Sequence, residues 1–215
     1  MNRVPAFEIT DRMVIAGLVR DLAFAQVVTN GADGFLASSV PLVLDTPAGS
    51  PWRLRGHLAR SNPQAKIGRA TVPAIALFIG PHAYVSPSVY ATKADTGKVV
   101  PTWNYVEVHA QGSLRLTDDA ERTLAVISDL TDAHEADRAE PWRVTDAPDG
   151  YVDGLARGIV SFELVVDRVE AKAKLSQNKS EADRNGVIQD LAGRPGGGPE
   201  IARLMDARTY FRPGP

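Results

Sequence analysis

The chain has 215 residues, 44% hydrophobic and 23% charged, ordinary globular values that exclude collagenous, coiled-coil and wholly disordered chains. It contains no cysteine, which excludes disulfide scaffolds, iron–sulfur clusters, cysteine zinc sites and thiol nucleophiles together. Its 24 basic and 26 acidic residues leave a formal charge of −2, without the global basic footprint of a nucleic-acid binder.

In chain order, residues 10–22 read as a short amphipathic helix with Met13, Ile15, Ala16, Leu18, Val19 and Leu22 as its apolar stripe. Residues 23–29 form a strand, 30–34 (NGADG) a turn, and 35–44 a returning strand. Pro41 interrupts that second strand, because proline cannot donate to the ladder; it marks an edge or a bulge. A turn at 46–51 leads into a third strand at 52–58. Ser61-Asn62-Pro63 is a helix start, a polar cap followed by proline at the first helical position, so 64–69 reads as a short helix. Residues 72–80 are a buried strand, 82–90 continue extended, and 91–100 are an exposed loop. Residues 102–116 alternate as a long strand. Residues 118–133 give the clearest helix, with Asp118 and Glu121 as a capping box and Leu124, Ile127, Leu130 and Thr131 sharing a face. A last long strand covers 158–171, and helices follow at 180–191 and 200–207.

Six or seven strands in the first 172 residues, joined mostly by turns, predict a mainly β fold with antiparallel topology. The expected form is a small barrel with peripheral helices, one domain over 1–215, with a helical extension after about residue 172. The longest apolar run, 72–79, is far short of the roughly 20 residues that span a bilayer. Residues 1–10 lack the apolar core of a signal peptide, so the expected compartment is the cytoplasm, with no membrane partner.

The glycine-rich stretch 193–198 lacks the Gly-Lys-Ser/Thr ending of a phosphate loop and reads as an inter-helix loop. His57, His82, His109 and His134 are not paired at metal-ligand spacing, and no Gly-x-Ser-x-Gly elbow is present, so no metal or catalytic set is assigned. Three clusters remain. Residues 56–64 bring a basic side chain, a hydroxyl and an amide to a helix start, where free N–H groups favour an anion, although plain capping explains the same residues. Residues 80–90 with 101–105 are dense in aromatic, hydroxyl and amide groups, suited either to a planar ligand or to an aromatic core. Residues 174–179 (KLSQNK) follow the last strand and open the C-terminal helix.

Together, GHLARSNPQ at 56–64, GPHAYVSPSVYA at 80–91, VPTWNYVEVHAQG at 100–112 and KLSQNKSEAD at 174–183 resemble the PaiB-like family of FMN-binding negative transcriptional regulators. The resemblance runs from Pro5 to about residue 192. It implies a split β-barrel of the pyridoxamine-phosphate-oxidase-like kind, a homodimer, and FMN at the dimer interface. It assigns Ser38, Ser39 and Val40 to the segment along the isoalloxazine edge, with Ser39 standing where many relatives carry histidine. It assigns His57, Arg60, Ser61 and Asn62 to the phosphate corner, with Arg60 foremost because a guanidinium grips phosphate at two points. It sets Trp103 and Asn104, beside Tyr105, to close the pocket, and Lys174, Gln177 and Asn178 to reach the neighbouring subunit's site.

The implied function is regulatory, with flavin as a redox or metabolite reporter. Direct DNA contact would require arginine and lysine clustered on the dimer surface, since no helix-turn-helix or basic stretch is present. The alternative is a flavin-dependent oxidoreductase that takes electrons from a nicotinamide or similar donor to a small molecule. A third reading, a binding module with a decayed flavin site, rests on Ser39.

Overall fold

The computed structural model describes every residue except Arg3, Ala32, Asp33, Arg69 and residues 211–215. Two tight-turn residues of the predicted 30–34 turn, Ala32 and Asp33, and the last residue of the predicted 64–69 helix, Arg69, lie outside the described residues.

The helices are α1 (Arg12–Leu22), α2 (Thr92–Thr96), α3 (Ala120–Glu135), α4 (Tyr151–Ala156), α5 (Glu181–Ala192) and α6 (Gly198–Asp206). The strands are β1 (Glu8–Ile9), β2 (Phe24–Gly31), β3 (Gly34–Pro41), β4 (Val43–Asp45), β5 (Arg53–Ala59), β6 (Thr71–Val85), β7 (Thr102–Thr117) and β8 (Ile159–Lys174). They form one sheet in the order β3-β2-β6-β7-β8-β5-β4, with β1 added on β8. The pairings β2–β3, β2–β6, β4–β5 and β5–β8 are antiparallel, as turn-joined strands predict. No helix among the described residues is long and apolar enough to cross a membrane.

Several elements differ from the sequence expectation. The strand predicted at 35–44 is two strands, broken after Pro41 at Leu42, whose N–H leaves the ladder for the Ala23 carbonyl at 2.8 Å. The segments 72–80 and 82–90 are one strand as far as Val85, because Pro81 is tolerated within β6. The 64–69 helix is a 3₁₀ turn at Pro63–Ile67, capped as expected by Asn62. The predicted loop at 91–100 holds α2, closed by Gly97 in the left-handed conformation. Helix α4 was not expected. Helix α3 is capped by Asp119, not Asp118: the Asp119 carboxylate accepts from the Arg122 N–H at 3.0 Å.

Contacts divide the chain into two compact units, Met1–Ile15, Ile79–Val108, Glu170–Pro215 as the first and Ala16–Phe78, His109–Val169 as the second. In the second unit, Val27, Leu54, Phe78, Leu114, Phe162 and Leu164 are fully buried and form the core. Arg55 ties this unit's parts together. Its guanidinium grips Asp45 of β4 at 2.6 and 2.9 Å and Asp129 of α3 at 2.7 Å. These carboxylates raise its pKa above the usual arginine value, against the opposing effect of burial. Strand β7 passes so close to β8 that a Cβ at Gly112 would lie 1.9 Å from the Val165 carbonyl oxygen, so only glycine fits there.

In the first unit, α5 and α6 bury Val187, Leu191 and Ile201 completely. Ser180 caps α5 by accepting from the Asp183 N–H at 3.2 Å. Asp183, 4% exposed, accepts from the Thr92 N–H at 2.9 Å and hydroxyl at 2.8 Å, which fixes α2 to α5.

Candidate flavin site

The twelve residues expected at the flavin fall into two groups, one in each unit. In the second unit, the chain leaves β5 at Ala59, turns through Arg60 and Ser61, and enters the 3₁₀ turn at Pro63. Asn62 organises this corner. Its Oδ1 accepts from the Gln64 N–H at 2.8 Å, and its Nδ2 donates to the Ser38 hydroxyl of β3 at 2.8 Å. That bond ties β3 at Ser38 to the corner at Asn62. Ser39 is exposed and Val40 buried, as β3 alternates.

His57 is placed differently from Asn62. Strand alternation sets it on the same face as Arg53 and Arg55, opposite Ser161 on β8. Ser161 bonds Thr123 of α3 at 3.0 Å, so this is the face beneath α3. His57 Nδ1 is buried without a partner among the described residues, and burial lowers the ring's pKa.

Gln64 was quoted only as part of the 56–64 string, yet it is 2% exposed and holds the corner. Its Nε2 donates toward the Val27 carbonyl at 3.1 Å, the Thr29 hydroxyl at 3.0 Å and the Leu36 carbonyl at 3.2 Å. An amide directly after a capped Asn-Pro was the available signal.

Arg60 is exposed. It donates to Asp118 at 2.7 Å and to the Arg157 carbonyl at 2.8 Å. It lines a cavity of about 690 Å³ with Gly68, Arg115, Thr117, Asp118 and Asp119. Arg115 is exposed on β7 with no ionic partner among the described residues, and it also lines an adjacent cavity of about 500 Å³. Reading 102–116 as an alternating strand hid this cation among ordinary outward positions.

In the first unit, Asn104, Lys174 and Gln177 are committed to partners within that unit. Asn104 is fully buried; its Nδ2 donates to the Ser176 hydroxyl at 3.0 Å and to the Met205 sulfur at 3.3 Å. Lys174 donates to the Thr102 hydroxyl and to the Trp103 carbonyl, the latter at 2.9 Å. Burial, then Lys172 and Lys179, lower the Lys174 pKa. Gln177 folds back to accept from the Leu175 N–H at 2.7 Å, while Asn178 is exposed. Trp103 is 52% exposed, with the His82 and Tyr84 rings beside it at centroid distances of 6.1 and 5.9 Å.

Residues 1–168 match the family described as “Putative FMN-binding domain”. The protease synthase and sporulation protein PAI 2 of Bacillus subtilis is 30% identical over 203 residues, covering 93% of this chain and 94% of that protein. An uncharacterized protein of Emericella nidulans is 37% identical over 183 residues, 71% of this chain and 73% of its own. Among solved structures, the FAD and heme binding protein of Mycobacterium smegmatis aligns with a TM-score of 0.57 at 14% identity, covering 88% of this chain and 82% of that one. At that identity the likeness concerns the fold, which is the split barrel expected from the sequence. The chain therefore belongs to the PaiB-like family of FMN-binding split-barrel proteins.

Proposed function

We propose that the protein is a homodimeric, FMN-binding regulator that holds the flavin phosphate in the cavity between Arg60 and Arg115. The carrying observation is that cavity's donor set. Two guanidinium groups and the Thr117 hydroxyl line about 690 Å³, a size typical of small-molecule sites. Guanidinium pairs match the oxygens of a phosphate dianion. Arg60 is engaged by Asp118, but both side chains are exposed, and such pairs contribute only about 0–1 kcal/mol. A phosphate displaces that carboxylate at low cost. Ser38, Ser39 and Val40, tied to the corner by the Ser38–Asn62 bond, would run along the ring edge.

When bound, FMN supplies reversible electron transfer; the chain supplies binding, orientation and electrostatics. Arg60 and Arg115 would neutralise the phosphate, and Asn62 would keep the corner in shape. The homodimer is supported by β3, an edge strand, and by exposed Phe35 and Phe24 on the β2–β3 hairpin. The regulatory output is supported by the Bacillus relative, whose name ties it to protease synthesis and sporulation.

The test is FMN titration of the purified chain on a sizing column with visible absorbance. The expected result is a stoichiometric flavin band in a dimer peak. Arg60→Ala and Arg115→Ala should each weaken FMN about tenfold or more, given about 1.5–3 kcal/mol for a charged hydrogen bond. Unchanged affinity in both variants would move the phosphate elsewhere.

A further inference from the structure

We propose that the second unit carries a site for a small carboxylic acid with an apolar body, in the cavity of about 500 Å³ lined by α3 and strands β5, β7 and β8. That volume accommodates a single ring and its head group. The cavity adjoins the proposed phosphate cavity, and Arg115, Leu116 and Thr117 line both.

The walls supply the apolar half. Val126 of α3 and Phe162 and Val165 of β8 line the cavity, and the first two belong to the buried core. A ring set against them leaves water for an apolar surface, which a bare ion does not do.

The guanidinium groups supply the polar half. Arg115 has no ionic or hydrogen-bonding partner among the described residues. Arg53 lies 3.8 Å from Glu163, and Arg122 lies 3.9 Å from Asp119. Both distances exceed a hydrogen bond, and all four side chains are exposed, so each pair contributes little. A ligand carboxylate can displace either, as phosphate can displace Asp118 from Arg60. Arg55 also faces the cavity, but Asp45 and Asp129 together outweigh its charge, so it recruits no anion.

The shared Arg115 selects the head group. Its guanidinium carries five N–H donors in a planar fork, enough to serve both cavities. A carboxylate meets one edge of that fork with two parallel hydrogen bonds. With the flavin phosphate on the other side of Arg115, a second dianion would repel it about twice as strongly as a monoanion does. This choice of carboxylate over phosphate rests on the flavin reading, whereas the cavity and its cations do not.

The test is calorimetric titration of the full chain, free and FMN-saturated, with benzoate, benzyl alcohol, acetate and phenyl phosphate. Benzoate should bind both forms saturably. It should bind about tenfold or more tightly than benzyl alcohol, which lacks the charge, and than acetate, which lacks the ring. Added salt should weaken it. Ala125 is an exposed α3 residue that lines the cavity, so Ala125→Phe should fill the space and abolish binding. Arg122→Ala should weaken benzoate about tenfold and leave FMN affinity unchanged. An unchanged melting temperature verifies that each variant folds, and Arg122→Ala decides if Ala125→Phe does not. Absence of saturable benzoate binding to the free chain, or binding indifferent to the folded variants, would overturn the proposal. Complete displacement of benzoate by FMN would also overturn it, because the cavity then belongs to the flavin. Phenyl phosphate binding the FMN-saturated chain more tightly than benzoate would overturn the carboxylate. If FMN itself fails to bind, the flavin reading falls and the free-chain titration alone decides the cavity.

Discussion

At the scale of single residues, Asp118 is the most informative neighbour of the proposed phosphate site. It competes with phosphate for Arg60 at 2.7 Å while its own side chain is largely solvated. Asp118→Asn should therefore tighten FMN by up to about fivefold and leave stability unchanged, since an exposed pair contributes at most about 1 kcal/mol. Titration of FMN alongside a urea melt checks both halves. Asp183 makes the contrasting case. Donors from Thr92 lower its pKa against burial, helped by Ser180 and Lys179. A carboxyl depressed on folding stabilises the fold above the ordinary carboxylate range, and that stability is lost as pH falls through the folded value. Asp183→Asn removes the charge and one acceptor for the Thr92 hydroxyl, and should cost about 1–3 kcal/mol near neutrality. Urea melts should show the gap to the native chain narrowing as the solution is acidified. Residue-level legibility followed locality. Asn62 was readable as a cap because capping is set by two or three adjacent residues. Arg115 was not, because its importance arises from a cavity shared with residues about 50 positions away, such as Gly68 and Arg60.

Among the elements, α3 shows that a helix start and a buried face are read from different signals. Two successive aspartates offer two starts, and the chain uses the second. Of the expected face, Leu130 is buried and Leu124, Ile127 and Thr131 are half-buried, while Thr123 and Val126 complete the buried stripe. Thr123 escapes a hydrophobic pattern because a hydroxyl is buried there by bonding Ser161. The assignment is testable: Asp119→Ala should cost about 1 kcal/mol by thermal melting, whereas Asp118→Ala should cost almost nothing. The strands were easier to read. Alternation over β2, β5 and β7 reflects one buried face, a period visible in sequence. Short helices were the gap. Helix α2 has five residues and α4 six, too few to display a 3.6-residue period, so 91–100 read as a loop and α4 was not expected.

For the whole molecule, the motif strings carried more than the elements did, because several short matches in fixed order identify a fold that no single strand can. They did not reveal that their residues divide between two compact units, or that Asn104 and Gln177 spend their polar groups internally. Binding linkage tests the reading of the molecule as a folded flavin carrier. A ligand that binds only the native state at 100 times its dissociation constant adds about 2.7 kcal/mol. For a chain of this size that corresponds to a rise in melting temperature of about 5–10 °C. The native protein should show this shift with FMN, and its melting temperature should rise with protein concentration if the dimer melts as a unit. Arg60→Ala should keep the unliganded melting temperature, because its pair with Asp118 is exposed and adds little to the fold, and a tenfold weaker site should lose about half of the FMN shift. A variant that melts early without FMN would instead make Arg60 a structural tie through the Arg157 carbonyl. The two outcomes separate binding from scaffolding in one experiment, with β3 and Phe35 left intact to preserve the proposed dimer face.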